Sequence, residues 1–97
     1  MMLLKLLTEE ENYGYAVVVE LRTLGFSDLK EGSIYPALSR LEKRGLLASR
    51  LKPSKTGPAR KYYSPTREGK KALRDAISDW EELSGRVQTL LKSRANV

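Results

Sequence analysis

One segment in the middle of this chain, residues 32–66, constrains the fold most, because a short amphipathic helix is followed there by two strand-like pieces. Ile34 and Leu38 recur at the spacing of one helix face, which predicts that this face packs against a core. Gly45 follows a basic last turn and can adopt the positive φ that ends many helices. We therefore expect a helix over residues 33–44. The opposite face offers Ser33, Tyr35, Pro36, Ser39, Arg40 and Lys43.

The same segment continues as a predicted β-hairpin. Leu46–Lys52 and Arg60–Ser64 have the composition of strands, and residues 53–59, which contain two prolines and a glycine, predict a mobile tip between them. Consecutive side chains of a strand point to opposite faces. One of Tyr62 and Tyr63 is therefore expected to pack inward.

Two helix signals precede this segment. The apolar patch Leu3–Leu7 is too short to be a stable helix alone, and indicates the end of a longer helix or one that another subunit supports. After an acidic connection at residues 8–12, apolar spacing predicts a helix over Tyr13–Leu24 that ends at Gly25. In the turn that follows, the side chains expected in the core are Phe26 and Leu29.

These elements together predict a mostly α-helical fold with a small β-hairpin wing. A helix, a short turn and a second helix with a polar outer face form the helix-turn-helix pattern. A helix that can enter a groove beside a basic hairpin is suited to DNA binding. Pro36 fits this arrangement only in the first turn of its helix, where amide hydrogens lack helical partners.

The chain ends in a long predicted helix, which Thr66 can cap and which runs to about Lys92. Its apolar residues recur close to every 3.5 residues, a pattern typical of helices that pair. Residues 1–65, the predicted DNA-binding domain, cannot cover a helix about 40 Å long. Pairing between two copies is thus favoured over folding back, and residues 66–97 form the predicted dimerisation helix. The predicted contacts are Leu73, Ile77, Trp80, Val87 and Leu91.

The net charge of +6 is unevenly distributed along the chain. Residues 1–39 carry −3, residues 40–74 carry +10 and residues 75–97 carry −1. Positive charge confined in this way is expected of a surface that binds a polyanion. The simpler alternative is a solvated basic face that has no partner.

Missing residue types exclude several classes of function. The chain has no cysteine and no histidine, which removes thiolate metal sites, thiol nucleophiles and the most common general base. No other residues pair a nucleophile with a base, so we predict neither an enzyme nor a cofactor or metal site. Apolar runs fall short of the roughly 20 residues that span a bilayer, and the apolar start is too short for a signal peptide. The sequence predicts a soluble cytoplasmic protein.

Three groups of residues together resemble the PadR family of transcriptional regulators. They are Tyr13-Gly14-Tyr15, then Gly32-Ser33-Ile34-Tyr35-Pro36-Ala37-Leu38 with Arg40-Leu41-Glu42 and Gly45-Leu46, then Arg60-Lys61-Tyr62-Tyr63 with Thr66 and Gly69. The resemblance covers about residues 12–70. It implies a winged helix-turn-helix that dimerises through its C-terminal helix and represses transcription at a palindromic operator. The single C-terminal helix is similar to the smaller branch of the family, in which the dimer centre can hold a hydrophobic ligand.

The chain departs from the family pattern at two places. Pro65 stands where the family usually has leucine, and because proline lacks an amide hydrogen, the second strand is expected to end earlier. The first helix is about a turn shorter than the family's, which reduces the contacts expected between subunits.

Within this arrangement Arg40 is the first candidate for a base contact, because a guanidinium can bind guanine with two hydrogen bonds. Ser33, Tyr35 and Ser39 are candidates for hydrogen bonds to phosphates or bases. Predicted phosphate contacts are Lys43, Lys52, Lys55, Arg60 and Lys61.

Trp80, the only tryptophan, has two interpretations. It packs in the dimer core, or it and its symmetry mate flank a flat aromatic or hydrophobic effector that releases the DNA. For the whole chain, the alternative to DNA binding is a winged-helix module that binds an acidic protein partner.

Overall fold

The computed structural model describes residues 1–94, which form four helices and a small sheet. The helices are α1 (Met2–Glu9), α2 (Gly14–Thr23), α3 (Glu31–Lys43) and α4 (Arg67–Arg94). The strands are β1 (Asn12–Tyr13), β2 (Leu47–Ser54) and β3 (Gly57–Pro65), and they pair antiparallel in the order β1-β3-β2. The predicted winged helix-turn-helix class is thereby confirmed. The end of the predicted dimerisation helix, residues 95–97, lies outside the described residues.

One hydrophobic core joins α1, α2, α3, the sheet and the start of α4. Val17, Val18 and Leu21 of α2 are buried at its centre, and Leu38 of α3 packs with them. Tyr63 is the inward-facing member of the tyrosine pair in β3, as strand alternation requires. The core therefore fixes α3 between α2 and the sheet.

The apolar patch near the start forms α1, a helix of eight residues. A helix of this length is marginal in water. Leu4, Leu6 and Leu7 are buried in the core, and each contributes roughly 1.5–3 kcal/mol on leaving water. Burial against the rest of the domain therefore stabilises α1.

The ends of α2 and α3 confirm the predicted glycine stops, with φ of 106° at Gly25 and 76° at Gly45. The expected position of Pro36 was wrong, because α3 begins at Glu31 and Pro36 is its sixth residue. Pro36 cannot donate to the carbonyl of Gly32. Both residues are exposed, so water can bond that carbonyl.

The turn between α2 and α3 is less buried than predicted. Phe26, expected in the core, is 39% exposed, and Leu24 is 61% exposed, whereas Leu29 packs against the core in part. The backbone explains this, since Gly25 redirects the chain outward as soon as α2 ends. Leu24 and Phe26 instead form part of an apolar surface.

The sheet includes a strand that the sequence did not reveal. Asn12 and Tyr13 form β1 and pair with Tyr63 and Tyr62 of β3. Two residues are too few to show a strand pattern, so this pairing was taken for part of a connection. It attaches the hairpin to the start of α2.

The hairpin of β2 and β3, hereafter the wing, is longer than predicted. Its tip is the two-residue turn Lys55–Thr56, because pairing continues on both sides of it. Pro53 lies at a register irregularity between Lys52 and Ser54, where proline is tolerated. The expectation that Pro65 shortens the second strand was wrong. Pro65 is the last residue of β3, beyond the stretch that β1 flanks.

Helix α4 begins as predicted, since the hydroxyl oxygen of Thr66 accepts a hydrogen bond from the amide of Gly69 at 3.0 Å. Its 28 residues span about 42 Å, and the chain measures 61 × 29 × 20 Å overall. Much of the helix therefore projects beyond the domain. Within residues 1–94, no helix has the length and apolar character needed to cross a membrane.

Candidate nucleic-acid interface

The outer face of α3 carries the central group of predicted DNA contacts. Burial of Ile34 and Leu38 turns one side of α3 to the core and leaves the other in solvent. The exposed residues there are Ser33, Tyr35, Pro36, Arg40 and Lys43, and Ser39 is half-buried. The Ser33 hydroxyl donates to the carbonyl of Lys30 at 2.9 Å. It therefore remains an acceptor toward any ligand.

Arg40 and Tyr35 lie on opposite flanks of this face. Arg40 lines a shallow cavity with Met1, Ala37 and Leu41, on the side of α1, and Tyr35 lines another on the side of the wing. Within the described part of the chain, Arg40 forms no ion pair. Its guanidinium is thus available to an incoming acceptor.

Tyr35 is held against the start of α2 by Gly14. A Cβ atom added at Gly14 would overlap Cε1 of Tyr35 and lie 2.9 Å from its Cδ1. Partial burial raises the pKa of Tyr35, and the carboxylate of Glu31 adds to the effect. The hydroxyl consequently stays protonated near neutral pH and can donate a hydrogen bond.

A cavity of about 300 Å³ lies where α2, α3 and the wing meet. It is lined by Tyr13, Gly14, Tyr15, Tyr35, Arg60, Lys61 and Tyr63. The Arg60 guanidinium lies 4.4 Å from the centre of the Tyr13 ring, a cation–π geometry. Sequence analysis missed Tyr13 and Tyr15 as members of this surface. Only the Tyr-Gly-Tyr motif before α2 signalled them.

Two cations of the wing are held by carboxylates. Lys61 Nζ lies 2.7 Å from Glu42 Oε1, and Ser49 donates a short hydrogen bond to the other oxygen of Glu42. The ammonium of Lys61 and then the hydroxyl of Ser49 lower the pKa of Glu42, and the pairing raises that of Lys61. The carboxylate therefore joins α3 to both strands of the wing.

Glu11 forms the second such group. Arg50 donates to its carboxylate through Nε at 2.8 Å and through Nη2 at 2.6 Å, and Lys52 Nζ lies 2.9 Å from it. Hydrogen bonds from Arg50 and Lys52 lower the pKa of Glu11 to about 2. Lys52 also lies 4.4 Å above the ring of Tyr62. Glu11 thus ties the segment before β1 to β2.

The predicted phosphate contacts consequently form two groups. Lys52 and Lys61 are paired with Glu11 and Glu42, whereas the described residues include no ion-pair partner for the others. These others are Lys43 on α3, Lys55 at the wing tip and Arg60 on β3. Arg44, which the sequence marked only as part of a helix stop, is exposed beside them.

Comparison with known proteins identifies the family. Residues 3–75 match the Transcriptional regulator PadR-like family. The chain belongs to the PadR family.

Solved PadR structures agree with this assignment. A PadR-like regulator from Bacillus cereus is 41% identical, with a TM-score of 0.81 over 91% of this chain and 85% of that one. A PadR family regulator from Clostridium difficile is 32% identical, with a TM-score of 0.83 over 93% and 94%. Bacillus subtilis PadR in complex with operator DNA is 28% identical, with a TM-score of 0.72 over 78% and 43%. The predicted family and fold are both confirmed.

In this PadR protein the apolar residues of α4 fall into two parts. Leu73 is buried and Ile77 half-buried against the core of their own chain. Beyond them the helix exposes a distal stripe of large apolar side chains. The distal stripe consists of Trp80, Leu83, Val87, Leu90 and Leu91, each between 44% and 64% exposed. Leu73 therefore supports the base of α4 from within its own domain.

An apolar cavity of about 320 Å³ adjoins the start of the distal stripe. Trp80 and Ile77 form one side, and Leu24 and Phe26 form another. The remaining lining residues are Met1, Met2, Lys5, Leu6 and Leu21. This PadR chain thus has a continuous apolar surface from the α2–α3 turn to the end of α4.

Proposed function

We propose that this PadR family regulator binds double-stranded DNA as a homodimer, with α3 of each subunit in successive major grooves about 34 Å apart. Residues 1–65 contact DNA and residues 66–97 dimerise. The observation that carries the proposal is the exposed face of α3, with its unpaired cations, beside a basic wing. The complex of Bacillus subtilis PadR with operator DNA supports it. Activity on DNA implies a cytoplasmic protein.

In this proposal Arg40 reads a base edge from its flank of α3. Tyr35, on the other flank, donates its hydroxyl to a phosphate or base, and Ser33 and Ser39 add hydrogen bonds. Pro36 contributes apolar contact at the centre of the face. The cations assigned to phosphates are Lys43, Lys52, Lys55, Arg60 and Lys61.

The distal stripe supplies the dimer contact. Side chains of this size each contribute roughly 1.5–3 kcal/mol when they are buried, and their exposure in the single chain supports a helical partner. Trp80, Val87 and Leu91 remain the central contacts, with Ile77 at the edge. Leu73 leaves the predicted seam because its own core covers it.

Repression, with release by a small hydrophobic or aromatic effector, completes the proposal. The apolar cavity beside Trp80 supports it, because such surfaces bind flat apolar molecules with few polar contacts. Candidate compounds should quench Trp80 fluorescence and release DNA at the same concentrations. Emission that no releasing compound alters would instead mean that Trp80 has only a packing role.

Selection of duplexes from a random pool tests the DNA-binding proposal. We expect an enriched motif with two-fold symmetry, since a symmetric dimer reads two inverted half-sites. An asymmetric motif would contradict the dimer, and no enriched motif would contradict sequence reading. If the wing instead binds an acidic protein, excess duplex DNA should fail to compete with that protein.

A further inference from the structure

The two-residue turn Gly45–Leu46 fastens the end of α3. The amide of Gly45 donates to the carbonyl of Glu42 at 3.0 Å, and the amide of Leu46 donates to that of Leu41 at 2.9 Å. Gly45 adopts the positive φ that this ending requires. The turn therefore moves with the last turn of the recognition helix.

Thr66 binds the same turn from the side of α4. Its hydroxyl donates to the carbonyl of Gly45 at 2.6 Å, and its amide donates to the carbonyl of Leu46 at 3.1 Å. The hydroxyl oxygen also accepts the amide of Gly69 at 3.0 Å. One residue thus caps α4 and attaches it to the end of α3.

Gly69 makes the close approach possible. A Cβ atom at this position would overlap the carbonyl oxygen of Leu46 and lie 2.9 Å from its carbonyl carbon. The obstacle is backbone, which cannot rotate away as a side chain can. Gly85, farther along α4, has no heavy atom within 4 Å of its own added Cβ. Only the first of these glycines is required by packing.

We propose that Thr66 and Gly69 are positioning residues for DNA recognition. They lock α4 to the Gly45–Leu46 turn, so that α3 and α4 behave as one rigid body. The angle at which two copies of α4 pair then sets the distance between the two copies of α3. This inference rests on the proposed DNA-binding dimer and adds the junction that determines half-site spacing.

Duplexes that differ only in the number of base pairs between half-sites test it. Gly69→Ala should remain folded and dimeric, yet shift the preferred spacing by about one base pair or abolish the preference. Gly85→Ala is the matched control, with the same change on the same helix in open space, and should keep the wild-type preference. An equal loss of affinity at every spacing, or no change, for Gly69→Ala would overturn the positioning role.

Thr66 provides an independent arm if Gly69→Ala does not fold. Thr66→Val keeps the side chain's size but removes both hydroxyl hydrogen bonds, and should blur the spacing preference. Thr66→Ser keeps the oxygen and should restore it. Identical behaviour of the Val and Ser variants would overturn the inference. Wild-type protein without a spacing preference would contradict the dimeric DNA binding itself.

Discussion

The recognition helix and the wing carry positive charge in different states. Lys43 on α3 projects into solvent without an ion pair in the described residues, whereas Lys52 and Lys61 of the wing each bind a carboxylate. A phosphate can approach the first directly. To bind the second it must displace Glu42 or Glu11, or accept a nearby negative charge. Equal charges in the sequence therefore have unequal value for binding.

The two carboxylates also explain why the wing is held firmly. Glu42 connects α3 to both wing strands, and Glu11 connects the segment before β1 to β2. Exposed ion pairs of this kind contribute little stability individually, but each joins elements distant in sequence. We infer that the wing cations chiefly orient the hairpin, and that α3 supplies most of the contact with DNA.

The largest effect should come from removing the proposed base contact. Arg40→Ala should weaken binding to the selected duplex by about 1–3 kcal/mol and relax sequence preference at one position in each half-site. Titration of the selected duplex and its single-base variants measures both. An equal loss for all sequences would make Arg40 a phosphate contact.

A smaller effect should separate Lys43 from Lys61. Lys43→Ala removes an open cation, and should make the salt dependence of log K shallower by about 0.9 for each phosphate lost. Lys61→Ala removes a cation that Glu42 already neutralises, and should change the slope less. Binding isotherms at several salt concentrations compare the two. A steeper loss for Lys61 would reverse the proposed difference between helix and wing.

Releasing the paired cation should have an effect of opposite sign. Glu42→Gln frees Lys61, so affinity for DNA should rise while the free energy of unfolding falls by at most about 1 kcal/mol. Glu68→Gln is a suitable control, since it removes an exposed carboxylate for which the described residues show no ion pair. Equal gains in both variants would attribute the effect to net charge.

The smallest effect should appear only in acid. Because Arg50 and Lys52 lower the pKa of Glu11 from its usual 4.5 to about 2, its contribution to stability is fully present above pH 4.5. It is lost as the pH falls toward 2. The difference in unfolding free energy between wild type and Glu11→Gln should therefore shrink over that window. A difference that persists unchanged to pH 2 would show that the carboxylate does not act through its charge.

Much of this fold could be predicted from local pattern. Helix periodicity identified α2 and α3, the glycine stops at residues 25 and 45 were correct, and Thr66 caps α4. These features depend on residues close together in the chain. The distal stripe was also visible, since a helix that cannot be covered by its own domain leaves a periodic apolar face.

The errors came from interactions between distant residues. Nothing local reveals that Asn12 pairs with Tyr63, or that Glu11 reaches Arg50 in β2. The position of Pro36 within α3 and of Pro65 within β3 depends on what flanks them in the folded chain. For the candidate site, charge showed which residues are cationic, but only the fold showed which of them are already paired.

Salt titration of the wild-type protein on the selected duplex and on a scrambled duplex tests the central claim most directly. If open cations meet phosphates while α3 reads bases, both affinities should fall steeply, by about 0.9 in log K per unit of log salt for each phosphate neutralised. The selected duplex should remain tighter at every concentration. An affinity that is insensitive to salt, or equal for the two duplexes, would contradict it.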